Sequence, residues 1–366
     1  MRLISLILLS LPGSIANAKS VFNSDGDVEV HYKKQLPIYL QHDLGDVSIQ
    51  GWNQDLIRVK IKKSTTADSQ EIADALFSKF DLISLETPTS IELRVGTPQG
   101  TDLLTKLRNR EQKKNIKVDL EIKAPATMSL SLVLGVGIKL KLSQWKGKVD
   151  LEGKQNSVEL VKLRMSEPLH LNCPNCALSL TDSEVSGSIL LNDQKIDIKR
   201  TKASPHALLI SSEKGDISME ETQGEFQIRS ISGNVSSLTH QGSLQIETDS
   251  GKIKLDNLSG DLDATTQSAP IFADIKEAKN RLEVKNRDGL IDLEVPHSFE
   301  GEVNLQSLKG TVSTDFVIKK NTAKMKPLYG PELQGRLIGN IGSGGANLIA
   351  TSDNGKILLK QKEVPK

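Results

Sequence analysis

Glycine recurs on a fixed period through the middle of this chain. Gly215, Gly224, Gly233, Gly242, Gly251 and Gly260 fall nine residues apart, and position 269 keeps the phase with alanine in SAPIFA. In SGNVSSLTHQGSLQIETDSGKIKLDNLSGDLD, Ser232 to Asp263, a small or polar residue precedes each glycine and an apolar residue usually stands two places after it. Fixed self-similarity over such a span marks a repeat architecture. The beat loosens downstream to Gly289, Gly301 and Gly310. Upstream it drifts through Gly147, NSVELVKL, PLHLNC, CALSLT, GSILLN, KIDIKR and HALLIS.

Nine residues hold one short strand and a corner. Alternation along the strand sends Val235, Leu244 with Ile246, Ile253 with Leu255, and Ile271 with Ala273 to one face. Glycine permits the backbone angles of a tight corner. Ser237 and Ala264 are small enough for a slim core between closely stacked coils. No single unit buries its apolar face alone, so neighbours must stack. The pattern predicts an all-β, parallel-β-helix-like solenoid with two nine-residue units per coil, or three faces per coil. The competing fold is an antiparallel sandwich or barrel, which also spaces strands by about 8–12 residues but seldom keeps so strict a period. Aromatic content of 3% suits a thin core that needs few large rings.

The ends read differently. Residues 1–18 form a secretory signal: Arg2, an apolar run from Leu3 to Leu11, then Ala16-Asn17-Ala18 before cleavage at Lys19. No cysteine stands there for lipid attachment. Residues 19–125 form a β-rich region with one helix, and 126–366 the solenoid repeat region. The helix falls on Ala67–Phe80, with Ile72, Ala75, Leu76, Lys79 and Phe80 as its inner stripe and Ser64, Thr65 or Thr66 as its cap. No transmembrane span remains after signal removal, because Lys139 and Lys141 interrupt the most apolar stretch, Met128 to Leu142. Net charge is +1 from 47 basic and 46 acidic residues, which gives no electrostatic case for nucleic acid or an anionic membrane. The basic run Lys106–Lys114 lacks interleaved aromatics and reads as a solvated loop.

Few residues suggest chemistry. Cys173 and Cys176 in NCPNCA lie between strand-like PLHLN and ALSLT, whereas a redox pair wants a helix start. Cys-Pro-Asn-Cys reads as a β-turn, which suits a structural disulfide in an oxidising compartment. The alternatives are a redox pair or a metal half-site, with His170 alone nearby. The six histidines, His31, His42, His170, His206, His240 and His297, are scattered and read as solvated or corner residues. GSGGAN (Gly342 to Asn347) lacks the ending of a phosphate loop and reads as a glycine-rich turn. SDNG (Ser352 to Gly355) and NRDG (Asn286 to Gly289) read as turns, calcium sites being the alternative. No GxSxG or triad assembles, and no Asp or Arg column recurs at nine or eighteen residues between Gly215 and Asp263.

Several segments together resemble the DUF4097 family of adhesin-type proteins, related to the head GIN adhesin domains. LGDVSIQGWNQDLIRVKIKKS looks like that family's opening strand pair, and VDLEIKAPATMSLSL like its strand ending in proline. DGLIDLEVPHSFEGEVNLQSLKGTVSTDF and GRLIGNIGSGGANLIATSDNGKILLK are similar to its later segments. The resemblance implies a solenoid-like fold, an exported or envelope-associated protein and no catalytic residues. The expected function is therefore a non-enzymatic, cofactor-free adhesin or surface-binding protein, in the periplasm, the cell envelope or outside the cell. Its partner would be a glycan, an envelope protein or itself. The alternatives are an envelope scaffold and, behind it, a polysaccharide-active enzyme.

Overall fold

Strand pairing through the regular region is parallel and offset by eighteen residues. Ile217 lies beside Val235 and Val235 beside Ile253; Phe226 lies beside Leu244 and Leu244 beside Leu262. The structure is a computed structural model that describes residues 20–32, 34–96, 115–320 and 335–362. It is a β-solenoid with two walls per coil. The long strands Ile217–Ser230, Val235–Thr248 and Ile253–Thr266 each start in one wall, turn a corner and finish in the other. We call the wall that holds Phe226, Leu244 and Leu262 the first wall and its opposite the second. Val235, Leu244, Ile246, Ile253, Leu255, Ile271 and Ala273 are buried between them, and so are the small residues Ser237 and Ala264. Upstream the beat drifts because coils lengthen. Val149 pairs with Leu169 and Ile196 with Ile217, and extra residues sit between Ala203 and Leu208.

The nine-residue clock is two eighteen-residue clocks, one at each corner. Gly224, Gly242 and Gly260 stack at the corner that leads into the first wall; Gly215, Gly233 and Gly251 stack at the other. A Cβ on Gly242 would lie 2.2 Å from the carbonyl oxygen of Gly224, and one on Gly251 2.0 Å from that of Gly233. Only the first column has positive φ, at +103°, +138° and +142°. In the second column glycine is required by the backbone of the coil below, not by its own dihedrals. That corner has its own polar device. The residue three before each glycine accepts the glycine N–H: Ser212 from Gly215 (3.1 Å), Ser230 from Gly233 (3.1 Å) and Thr248 from Gly251 (2.9 Å). Asn286, Ser352 and Ser307 do the same for Gly289, Gly355 and Gly310. All six acceptor residues are buried, so each satisfies a backbone donor inside the core.

Spatial order departs from chain order at both ends. Ile38–His42 lies between Ile91–Gly96 and Leu130–Val136, and Val47–Trp52 between Ile116–Pro125 and Lys139–Ser143. At the far end Ala346–Ser352 lies between Ile271–Asn286 and Gly301–Ser307, and Ile357–Gln361 between Ile291–Val295 and Val312–Thr314. Each end of the stack is thus covered by an excursion of the chain from between two neighbouring coils. Antiparallel strands lie at these ends: Ser20–Val30 on Ile57–Ala67, Asp81–Glu86 on Ile91–Gly96, and Arg336–Ile341 on Gly301–Ser307.

The helix is Gln70–Phe77, capped by Ser69, whose hydroxyl accepts from the Ile72 N–H at 3.4 Å. It is shorter than the sequence pattern predicts and is turned by one position. Ala73 and Phe77 are buried, while Ile72 is 48% exposed. Ser64–Thr66 cannot cap it because they continue the strand Ile57–Ala67, held by its antiparallel partner Ser20–Val30. The strand Asp81–Glu86 has no buried residue, so it carries no alternation to announce it.

Gly242→Ala should destabilise the protein by about 3 kcal/mol or more, since it combines a positive φ with contact from the coil below. Gly137→Ala, at φ +79° but with open space around it, should lose only about 1 kcal/mol. Gly26→Ala, with nothing within 4 Å, should change stability by less than about 0.5 kcal/mol. Denaturant unfolding of the three variants checks the order.

Candidate binding surfaces

Outward positions recur with the coil although the residues on them change, and several pair with the same position one coil away. Lys141 meets Glu159 (2.8 Å), Arg200 meets Asp182 (2.6 Å), Lys202 meets Glu184 (3.2 Å) and Arg229 meets Glu247 (2.8 Å), each eighteen residues apart. Uncharged rows do likewise: Gln223 donates to Gln241 at 2.9 Å, and His170 shares a hydrogen bond with Ser188 at 3.0 Å. These ion pairs are half exposed, so each contributes no more than about 1 kcal/mol. Their larger effect is to neutralise the surface row by row. Arg200 holds the Asp182 carboxyl below the usual carboxylate range, Lys202 that of Glu184 and Lys199 that of Glu220. Carboxylates held this way stay ionised near neutral pH, where a general acid must carry a proton.

Open hollows lie on the surface of the described residues. One open hollow of about 500 Å³ is lined by Gly137, Gln155, Asn156, Asn175, Asp193 and Gln194 among others. A second, of about 350 Å³, holds Arg200, Lys202, Glu221, Gln223, Thr239 and Gln241. A third, of about 240 Å³, lies on the outer face of the first wall over Leu209, Gln227, Arg229, Gln245 and Glu247. The second follows a ridge of left-handed corners. Gln144, Lys162, Asp182, Arg200, Glu221, Thr239 and Asn257 stand one coil above another, with φ between 45° and 63°. Their N–H groups continue the ladder across the corner: Lys162 to Thr181 O (3.0 Å), Asp182 to Lys199 O (3.1 Å) and Arg200 to Glu220 O (2.9 Å). Those bonds hold non-glycine residues in a conformation they otherwise avoid.

Cys173 and Cys176 lie buried at the two ends of their turn, with Cα atoms 5.5 Å apart and sulfurs in contact. The Cys176 N–H donates to Cys173 O at 3.1 Å and Asn175 has φ +60°, which makes this a type II turn. Strands Leu169–Asn172 and Ala177–Thr181 flank it. His170 is exposed on Ser188 rather than beside the sulfurs. SDNG and NRDG form two of the Ser/Asn-to-glycine turns. The Lys106–Lys114 run lies outside the described residues.

Two histidines are not solvated. His240 is 1% exposed, stacks edge-on to Phe226 at 5.5 Å and shares a 2.9 Å hydrogen bond with Thr222. His42 is 2% exposed and neither ring nitrogen has a partner. His240 follows the corner residue Thr239 and is a corner histidine, but a buried one; the burial of these two rings is what the sequence pattern does not mark. The register gives the signal: position 240 aligns with Leu258 one coil on. Burial lowers both ring pKa values, that of His240 to about 4.

Two outcomes follow for stability. The unfolded chain protonates His240 near pH 6.5 and the folded chain only near 4, so stability should fall as pH drops between those values, by about 3 kcal/mol at most from this residue. His240→Leu should flatten that decline, leaving the share of His42; an unchanged pH profile would contradict the assignment. Thr239→Gly should raise stability by about 1 kcal/mol, because it relieves a β-branched residue at φ +63°. Thermal unfolding reads both.

Among the described residues no helix is long and apolar enough to cross a membrane. Comparison with known proteins gives one family match, to Toastrack DUF4097 over residues 105–338, well over half of the chain. No match was found among curated proteins. Among solved structures, a Clostridium sporogenes protein provisionally named for cell adhesion aligns at 11% identity and TM-score 0.21, covering 93% of this chain and 100% of its own. A Parabacteroides merdae protein provisionally named an adhesin aligns at 11% identity and TM-score 0.33, covering 74% of this chain and 95% of its own. Neither likeness is close enough to add weight, so the assignment stands on the family match. With its two-walled coils and stacked corner glycines, this chain belongs to the Toastrack DUF4097 family.

Proposed function

We propose that this protein is an exported, non-enzymatic, adhesin-type solenoid that binds an extended partner along its walls. The observation that carries the reading is the registered outer surface, rows of side chains about 4.8 Å apart in which charges pair between neighbouring coils. Such a surface suits a ligand that is itself long and repetitive: a glycan, an envelope protein or another copy of this chain. The Met1–Ala18 segment supports export. The cross-coil pairing of surface carboxylates supports binding over catalysis. The second reading is a scaffold inside the envelope, which the same rows would serve equally well.

The experiment is protease digestion of an epitope-tagged copy on intact cells, with lysed cells as control. Digestion on intact cells is expected; protection until lysis would replace adhesion with the scaffold. Cys173 and Cys176 belong to this reading as a structural disulfide formed after export. Alkylation of the denatured, unreduced protein should then label no thiol, and reduction should release two. Replacing both by serine should lower stability by about 2 kcal/mol, the value for closing so short a loop. Two labelled thiols without reduction would rule the disulfide out.

A further inference from the structure

The glycine-rich stretch GSGGAN has a mechanical role in the topology. Arg336–Ile341 and Ala346–Ser352 lie on opposite sides of Gly301–Ser307, so the four residues between them must cross over the start of that strand. They saddle Glu300. A Cβ on Gly345 would lie 2.2 Å from Glu300 O, and one on Gly342 2.5 Å from its Cγ. Gly342, Gly344 and Gly345 have φ of +69°, +130° and +151°. The Glu300 carboxylate accepts from the Ser343 N–H (3.3 Å) and hydroxyl (2.6 Å), which latches the crossover.

Beyond this hinge the chain forms one inserted coil, Ala346–Ser352 with Ile357–Gln361, whose contacts are all made to a slot built from earlier residues. Leu348 sits between Leu282 and Val303. Gly355 stacks on Gly289, and Gly310 on Gly355. Lys360 pairs with Asp292 and Lys362 with Asp274, each at 2.7 Å. Leu348, Ala350, Ile357 and Leu359 are all 0% exposed. The slot therefore specifies this sequence: a glycine at one corner, apolar residues inside and lysines over two aspartates. An identical coil from a second copy meets every one of those requirements.

We propose that the inserted coil is exchangeable, and that two copies of this chain join by each seating residues 346–362 in the other's slot. The glycine crossover is the hinge, and Glu300 with Ser343 is the latch that favours the closed monomer. This pairing holds whichever ligand the walls take.

The test uses full-length chains with one added cysteine each. Glu302 and Asn347 are exposed neighbours on facing strands, one on the slot and one on the coil. Glu302→Cys and Asn347→Cys copies with different tags are unfolded together, refolded over a range of concentrations and oxidised. A covalent heterodimer whose share rises several-fold with concentration is expected. Mixing Glu302→Cys with Glu225→Cys, a pair that no exchange brings together, sets the background. A heterodimer no more abundant than that background at any concentration overturns the proposal. Should either variant fail to fold, the wild-type chain refolded at high concentration and then diluted is read by light scattering: a dimer that persists on dilution supports exchange, and a strict monomer, or a dimer that separates at once on dilution as a wall contact would, excludes it.

Discussion

Backbone contact at the corners is the constraint on which this structure depends. Coils stack so closely there that the carbonyl of one glycine occupies the space a side chain would need on the next, as Gly224 does for Gly242 and Gly233 for Gly251. This close approach fixes the eighteen-residue turn and keeps both walls in parallel register. It also sets the order of the interior, with apolar columns in the walls and a hydroxyl or amide beneath each glycine of the second column. Where Ala269 replaces a glycine, the hydroxyl of Thr266 in that same column has no hydrogen-bond partner.

The same register shapes the outside. Because each coil lies directly over the last, a lysine or arginine in one row meets an acid eighteen residues away, as Arg200 meets Asp182 and Arg229 meets Glu247. Among the described residues the surface thus becomes a set of rows, and open hollows follow its corners. Under the proposed function, recognition by such a surface would depend on register along the stack.

Much of this was legible in the residues because it is local. The period, the inward set from Val235 to Ala273 and the turn at Cys173–Cys176 follow from alternation and turn chemistry over a few positions. What was hidden is long-range. Nothing near Ala346 indicates that it pairs with both Arg281–Asn286 and Gly301–Ser307, so the inserted coil could not be placed. The glycines of the second column look identical in sequence to those with positive φ, although their reason is different. The helix is legible in the pattern, but its inner face is Ala73 and Phe77, because the strand before it runs on to Ala67, past all three capping candidates. Of the histidines, His240 and His42 lie in the core, and the partner that accommodates His240, Thr222, stands one full coil away in the sequence.

The central claim is that the repeat is one eighteen-residue coil with two unlike corners, and not a run of equivalent nine-residue units. Two deletions separate these accounts by thermal unfolding. Removal of Gly233–Ser250 joins Ser232 to Gly251 and keeps Ser230 three residues before a glycine; this protein should unfold cooperatively near the wild-type temperature. Removal of Gly233–Gln241 joins Ser232 to Gly242 and exchanges the two corner types; this protein should lose its cooperative transition. Equal tolerance of both deletions would contradict the account.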